Sequence, residues 1–296
     1  MTMNSTQAGI LQGLPRVARY LSFSLNDASA VRAALMRLVD LVDGDTVVVG
    51  LGPPTVAALG VSVPGLRPFP DLSATVNVPS TPVALWCWLR SAADTDQGHL
   101  LHVARRIEQA VVPAFKLDDV TDAFSHAAGR DLSGYEDGTE NPEEPAPVAL
   151  VSGAGAGLDG GSLVAVQKWV HDLEAIANMA QHTKDHTIGR RQSDNEELDD
   201  APDSAHVKRT AQESFTPEAF VWRRSMPWAA GQQGGLMFVA FGHTLDAFEA
   251  QMRRMAGLED GTVDALFTVS QPVSGAYLWC PPVKAGRLDL SALKID

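Results

Sequence analysis

The chain has 296 residues, 45% of them hydrophobic and 20% charged, with a formal charge of −13. This is ordinary globular composition, with enough apolar material for one large domain or two of medium size and for an enclosed ligand pocket. The acidic balance excludes nucleic acid and disfavours an anionic membrane surface as partners, since both are bound through Lys and Arg.

Cys87 and Cys280 make no local C-x-x-C spacing, so a disulfide framework is not expected and a reducing compartment is. The first residues lack a basic region followed by an apolar core, and no apolar run approaches the roughly 18–20 residues of a membrane span. The sequence reads as a soluble, cytoplasmic protein.

Residues 16–25 read as a strand, with Val17, Tyr20 and Phe23 among its β-formers. Asn26 or Asp27 can cap the helix that follows, where Val31, Leu35, Leu38 and Val42 recur at helical spacing until Gly44. Residues 46–50 and 82–89 are short apolar strands, and 96–110 is a second helix with Leu100, Leu101, Val103, Ala104 and Ile107 on its apolar side. Residues 117–161 read as a connection rich in Asp, Glu, Pro and Gly. The alternation then returns. Residues 162–169 are a strand, 171–180 helical, 220–224 and 236–241 strand-like, and 245–255 an amphipathic helix carrying Leu245, Phe248, Met252 and Met255. The acidic run 195–203 reads as a solvated loop, and a last strand at 275–280 is stopped by Pro281 and Pro282. Two passes of strand–helix–strand–strand–helix–strand predict the α+β class, as two ferredoxin-like halves, 1–125 and 126–296, in a fold of the dimeric α+β barrel type.

Residues 129–142 (GRDLSGYEDGTENP) hold too many turn-formers for a regular element. An isolated Asp-Gly pair there would be a solvated turn, and a calcium loop fits worse because the D-x-D-x-D-G alternation is missing. Of eight histidines, His182 and His186 stand four apart and could share a helical face as a metal pair. Composition does not choose among the eight.

The string Gly134-Tyr135-Glu136-Asp137-Gly138-Thr139-Glu140-Asn141-Pro142 resembles the G-x-x-D-G signature of dye-decolorizing peroxidases, including its T-E-N-P extension. Ser204-Ala205-His206-Val207 is similar to the family's axial-histidine segment, and Arg223-Arg224-Ser225-Met226-Pro227-Trp228 to its distal-arginine segment. Residues 166–173, 188–190 and 271–275 also resemble family stretches. The likeness is to the compact bacterial group called type B or P, good over the second half and general over the first.

The resemblance implies heme b in the second half, held by His206, with Asp264 accepting the other ring N–H. It implies that hydrogen peroxide is reduced, and dyes or other small aromatic donors oxidised, through a ferryl heme. Asp137 would move the peroxide proton and Arg223 stabilise the developing charge. Strand alternation lets only one of Arg223 and its neighbour Arg224 reach the heme, and the spacing to Met226-Pro227 favours Arg223. Ser225, on the same face, would hold a peroxide-side water. Arg190 would pair with a heme propionate, and Phe241, with Phe238 and Met252, would wall the pocket. Trp222, Trp228, Tyr277 and Trp279 are candidate surface oxidation sites. A heme-handling protein, binding the porphyrin or releasing its iron, is the second reading. Homo-oligomers are expected, and residues 288–294 resemble tails that dock such enzymes in protein shells.

Overall fold

A computed structural model describes residues 5–127 and 129–295. The first pass runs β1 (Val17–Leu25), α1 (Val31–Val39), β2 (Val47–Leu51), α2 (Pro53–Ala58), β3 (Leu85–Arg90), α3 (Gln97–Val111) and β4 (Phe115–Phe124). A long excursion follows with α4 (Pro145–Ala149). The second pass is β5 (Ser162–His171), α5 (Leu173–Asn178), α6 (Gln181–Ile188), α7 (His206–Arg209), β6 (Trp222–Arg223), β7 (Met226–Ala230), β8 (Gln233–Gly242), α8 (Asp246–Met255), β9 (Ser270–Pro272) and β10 (Ala276–Cys280).

The strands pair antiparallel in the order β4-β1-β3-β2 and β10-β5-β8-β7, each the order of a ferredoxin-like unit. Two narrow seams join them, Ala123 opposite Trp228 and Leu51 opposite Trp279. The sheet therefore closes into a barrel, with β6 added beyond β8 and β9 beyond β5. The α+β class and the ferredoxin-like repeats expected from the alternation are what the chain forms.

Closure leaves two separate cores, because successive side chains of a strand point to opposite faces. Tyr20, Val48, Trp86, Trp88, Val164, Val166, Met237, Val239 and Phe241 fill the lumen. Leu21, Val49, Cys87, Trp169, Ala240 and Tyr277 face outward and bury the apolar stripes of α1, α3 and α8. Leu290, Leu293 and Ile295 of the C-terminal segment are buried in that outer core. No helix among the described residues is long and apolar enough to cross a membrane.

One expectation fails locally. Residues 115–124, taken in part as connection, form a ten-residue strand. Only Phe115, Thr121 and Ala123 of it are buried, so no apolar alternation marks it. It is held instead by its ladder with β1 and by cross-strand charge: Arg19 donates through Nε and Nη2 to both oxygens of Asp122, each at 2.7 Å.

Candidate active site

The glycine-rich loop 129–142 is pinned at both ends. At its start, Asp131 N–H donates to Tyr135 O (2.8 Å), Asp137 N–H to Gly129 O (3.0 Å), and Arg130 Nη1 to Gly134 O (2.6 Å). At its end, Asn141 Oδ1 accepts the N–H of Arg223 (2.8 Å) and Asn141 Nδ2 donates to Arg223 O (3.2 Å). Gly138 lies at φ +76°, and a Cβ there would come within 3.0 Å of Asn141 Nδ2, so a side chain would be strained and would crowd the clamp. Gln212, 5% exposed, braces both partners, donating to Glu140 O (2.6 Å) and accepting from Val221 N–H (3.0 Å). The clamp sets the Asp137 carboxylate 3.7 Å from Arg223 Nη1, both largely buried.

His206 opens the short helix α7. Helix α6 ends against it at Gly189, whose φ of +92° is left-handed and where a Cβ would stand 2.2 Å from Val207 Cγ1. His206 Nδ1 donates to Asp264 Oδ2 at 2.7 Å. Asp264, 1% exposed, also caps the 3-10 turn Ala265–Thr268 by accepting Leu266 N–H at 2.8 Å. The helix-cap role and the imidazole contact thus coexist in one carboxylate. His206 Nε2 keeps no hydrogen-bond partner among the described residues.

Asp137, Arg223 and His206 all open on one cavity. Its walls are mainly apolar, with Ile188, Trp169, Leu236, Phe238, Phe248, Met252, Met255 and Leu266. Among its polar residues is Gln167, 1% exposed, whose Nε2 has no partner among the described residues.

Three expected site residues lie elsewhere. Phe241 points into the barrel lumen, 6.3 Å from Trp88, because it is an odd number of residues from Phe238, which does line the cavity. Arg190 does not line the cavity: its guanidinium is held by Glu140 and by Glu197 (2.6 Å). Ser225 is 4% exposed, sits in the break between β6 and β7, and accepts Val239 N–H at 3.3 Å instead of facing the cavity. Arg224 takes the face opposite Arg223, over the Trp222 ring. Trp222, Trp228, Tyr277 and Trp279 are all at most 8% exposed. His182 and His186 stack at 3.9 Å, but no group of three metal-ligating side chains occurs among the described residues.

Sequence reasoning passed over a further arrangement in the cavity wall. On β5, Gln167, Trp169 and His171 recur at period two and share the cavity face. That alternation was the available signal. His171 Nε2 lies 3.0 Å from Asp131 Oδ1 and Nδ1 lies 2.7 Å from Ser270 Oγ. Burial opposes ionisation of Asp131, yet hydrogen bonds from His171 and Ser133 outweigh it and hold the carboxyl below its ordinary 3.8. A depressed folded value contributes stability that is present above 3.8 and lost as pH falls through the folded value. Asp131→Asn should therefore destabilise the neutral protein by about 1–3 kcal/mol. The deficit should shrink as the pH drops below 3.8, measured by urea unfolding across that range.

A family model described as Dyp-type peroxidase, C-terminal, matches residues 128–285. A dye-decolorizing peroxidase of Mycobacterium tuberculosis is 29% identical over 227 residues, covering 74% of this chain and 67% of that protein. One from Mycolicibacterium paratuberculosis is 30% identical over 191 residues, 61% of this chain and 53% of the relative. The chain thus spans between half and two thirds of the length of these curated relatives. Among solved structures, a dye-decolorizing protein from V. cholerae superposes with a TM-score of 0.83 at 28% identity, covering 97% of this chain and 99% of that one. A variant of Rhodococcus jostii RHA1 DypB, in complex with heme, gives 0.81 at 25% identity over 91% of this chain and 94% of its own. The family model covers more than half of the sequence, including the loop, the imidazole and the guanidinium that meet at the cavity, and the chain belongs to the Dyp-type peroxidase family.

Proposed function

We propose that the protein is a heme peroxidase that reduces hydrogen peroxide and oxidises dyes or other aromatic donors. One observation carries the reading: an imidazole with a free Nε2 and a carboxylate–guanidinium pair 3.7 Å apart open on the same apolar cavity. The relatives' names and the heme held by the R. jostii protein point the same way.

The side chains fit a porphyrin. The apolar walls suit a broad planar ring, and the nitrogens of His206 and Gln167 that have no partner among the described residues belong to side chains lining it. His206 would hold the iron through Nε2, with Trp169, Phe238, Phe248 and Met252 against the ring. Heme, when bound, supplies a redox-active Lewis-acidic iron. Asp264, by accepting the Nδ1 proton, makes the imidazole a stronger donor and fixes its tautomer. Asp137 takes a proton from one peroxide oxygen and returns it to the departing one. The Arg223 guanidinium stabilises the negative charge that develops as the O–O bond lengthens. Residues 126–296 are the half that carries this chemistry. A heme-handling protein would need His206 and the apolar walls but not the Asp137–Arg223 pair, which favours the peroxidase.

The test is an absorption spectrum of the heme-loaded protein before and after one equivalent of peroxide. A Soret band that shifts within milliseconds to seconds supports the enzyme. A Soret band indifferent to peroxide supports heme handling, and no Soret band after heme addition removes both.

A further inference from the structure

The barrel lumen carries charge that the cavity chemistry does not use. Tyr20 on β1 and Trp86, Trp88 and Arg90 on β3 face inward by strand alternation. Arg224 joins them, since Arg223 beside it takes the cavity side; its guanidinium carbon lies 3.7 Å from the centre of the inward-facing Trp222 ring. Among the described residues no carboxylate pairs with Arg224 and no side-chain hydrogen bond engages it. Arg90 donates to Asp45 O (2.9 Å), Gln12 Oε1 (3.0 Å) and Gly13 O (2.6 Å), and the nearest carboxylate, half-exposed Asp45, stands 3.5 Å away.

Among the described residues, five buried groups of this interior lack a hydrogen-bond partner: Nε of Arg90, Nε of Arg224, the indole N–H of Trp86, that of Trp88, and the Tyr20 hydroxyl. Every one can donate, and only the hydroxyl can also accept. Burial and the charge of Arg90 push Arg224 down to about 10, and burial lowers Arg90 as well. Arg90 has Asp45 as its counter-charge, whereas half-buried Arg224 has none among the described residues; a cation without a counter-charge, beside unpaired buried donors, is unfavourable unless an acceptor bearing negative charge lies near it. Water supplies lone pairs but no charge.

We propose that the lumen binds a small inorganic anion, a halide or a small oxyanion, between Arg90 and Arg224. Arg90 belongs to the first set of strands and Arg224 to the second, which share only the narrow β4–β7 and β2–β10 seams. The anion is thus a non-covalent cross-link between the two ferredoxin-like units. The inference is independent of heme and peroxide.

The test uses the purified full-length protein. Thermal unfolding is measured in sodium bromide, sodium nitrate and sodium gluconate at one ionic strength. Bromide or nitrate should raise Tm above gluconate by about 2–4 °C, and this difference should vanish in Arg224→Met. The larger of the two effects tells halide from oxyanion. Crystals soaked in bromide should show an anomalous peak between the two guanidinium groups if the site takes halides. Equal Tm in all three salts overturns the proposal, as does an anion effect that survives unchanged in Arg224→Met. If that variant does not fold, the unaltered protein decides by its Tm series together with its maps: anion density only at the surface, in both the bromide and the nitrate soaks, overturns the site.

Discussion

Arg223→Leu is expected to slow the reaction with hydrogen peroxide about 10²–10³-fold while leaving heme binding and stability nearly unchanged. Its guanidinium is the cation nearest Asp137, at 3.7 Å, and lines the cavity. Removing it takes away the group that stabilises charge on the departing oxygen and leaves the Asp137 carboxylate without its counter-charge. The clamp to Asn141 runs through the backbone of Arg223, not its side chain, so the loop should keep its place. Stopped-flow spectra of the heme-loaded variant measure the rate, and the Soret band measures heme content. A rate within threefold of the parent protein would remove Arg223 from the mechanism. Asp137→Asn combined with Arg223→Leu should lose less than the product of the two single effects, because neighbouring groups acting on one bond are not additive.

His206→Ala should weaken heme binding by at least about 100-fold, more than the loss of a group that merely supports a ligand. His206 Nε2 is the imidazole nitrogen on the cavity that no group among the described residues engages; the other cavity histidine, His171, has both nitrogens committed to Asp131 and Ser270. The same substitution leaves Asp264 buried with only Leu266 N–H to satisfy it, so some stability should be lost as well. Titration of the variant with heme, followed by absorption, gives the affinity. Added imidazole should restore part of the parent spectrum by occupying the vacated position. Unaltered affinity and spectrum would assign iron ligation to another residue.

The alternation of strands and helices was legible from period alone, because burial of one face imposes it on every amphipathic element. The strand 115–124 was not, since it is stabilised by ladder bonds and the Arg19–Asp122 pair while only three of its ten residues are buried. Phe238 and Phe241 were read as walls of one pocket, although a spacing of three on a strand places them on opposite faces. Arg190 was expected to pair with a heme propionate, whereas Glu140 and Glu197, distant by 50 and 7 residues, hold it. His171 lies within the family-like stretch 166–173, which suggests no role for it, and its partners Asp131 and Ser270 lie 40 and 99 residues away.

The sequence by itself determined the fold class, the family and the three side chains that meet at the cavity, since these depend on local periodicity and on a long specific string. Closure of the barrel decided the rest. It chose which face of each strand became lumen and which became cavity wall, and so put Phe241, Trp222 and Arg224 inside and Phe238 and Trp169 outside. Partner choice followed from that closure: a charged or polar side chain bonds whatever long-range packing brings within about 3 Å, and residue spacing along the chain carries no record of it.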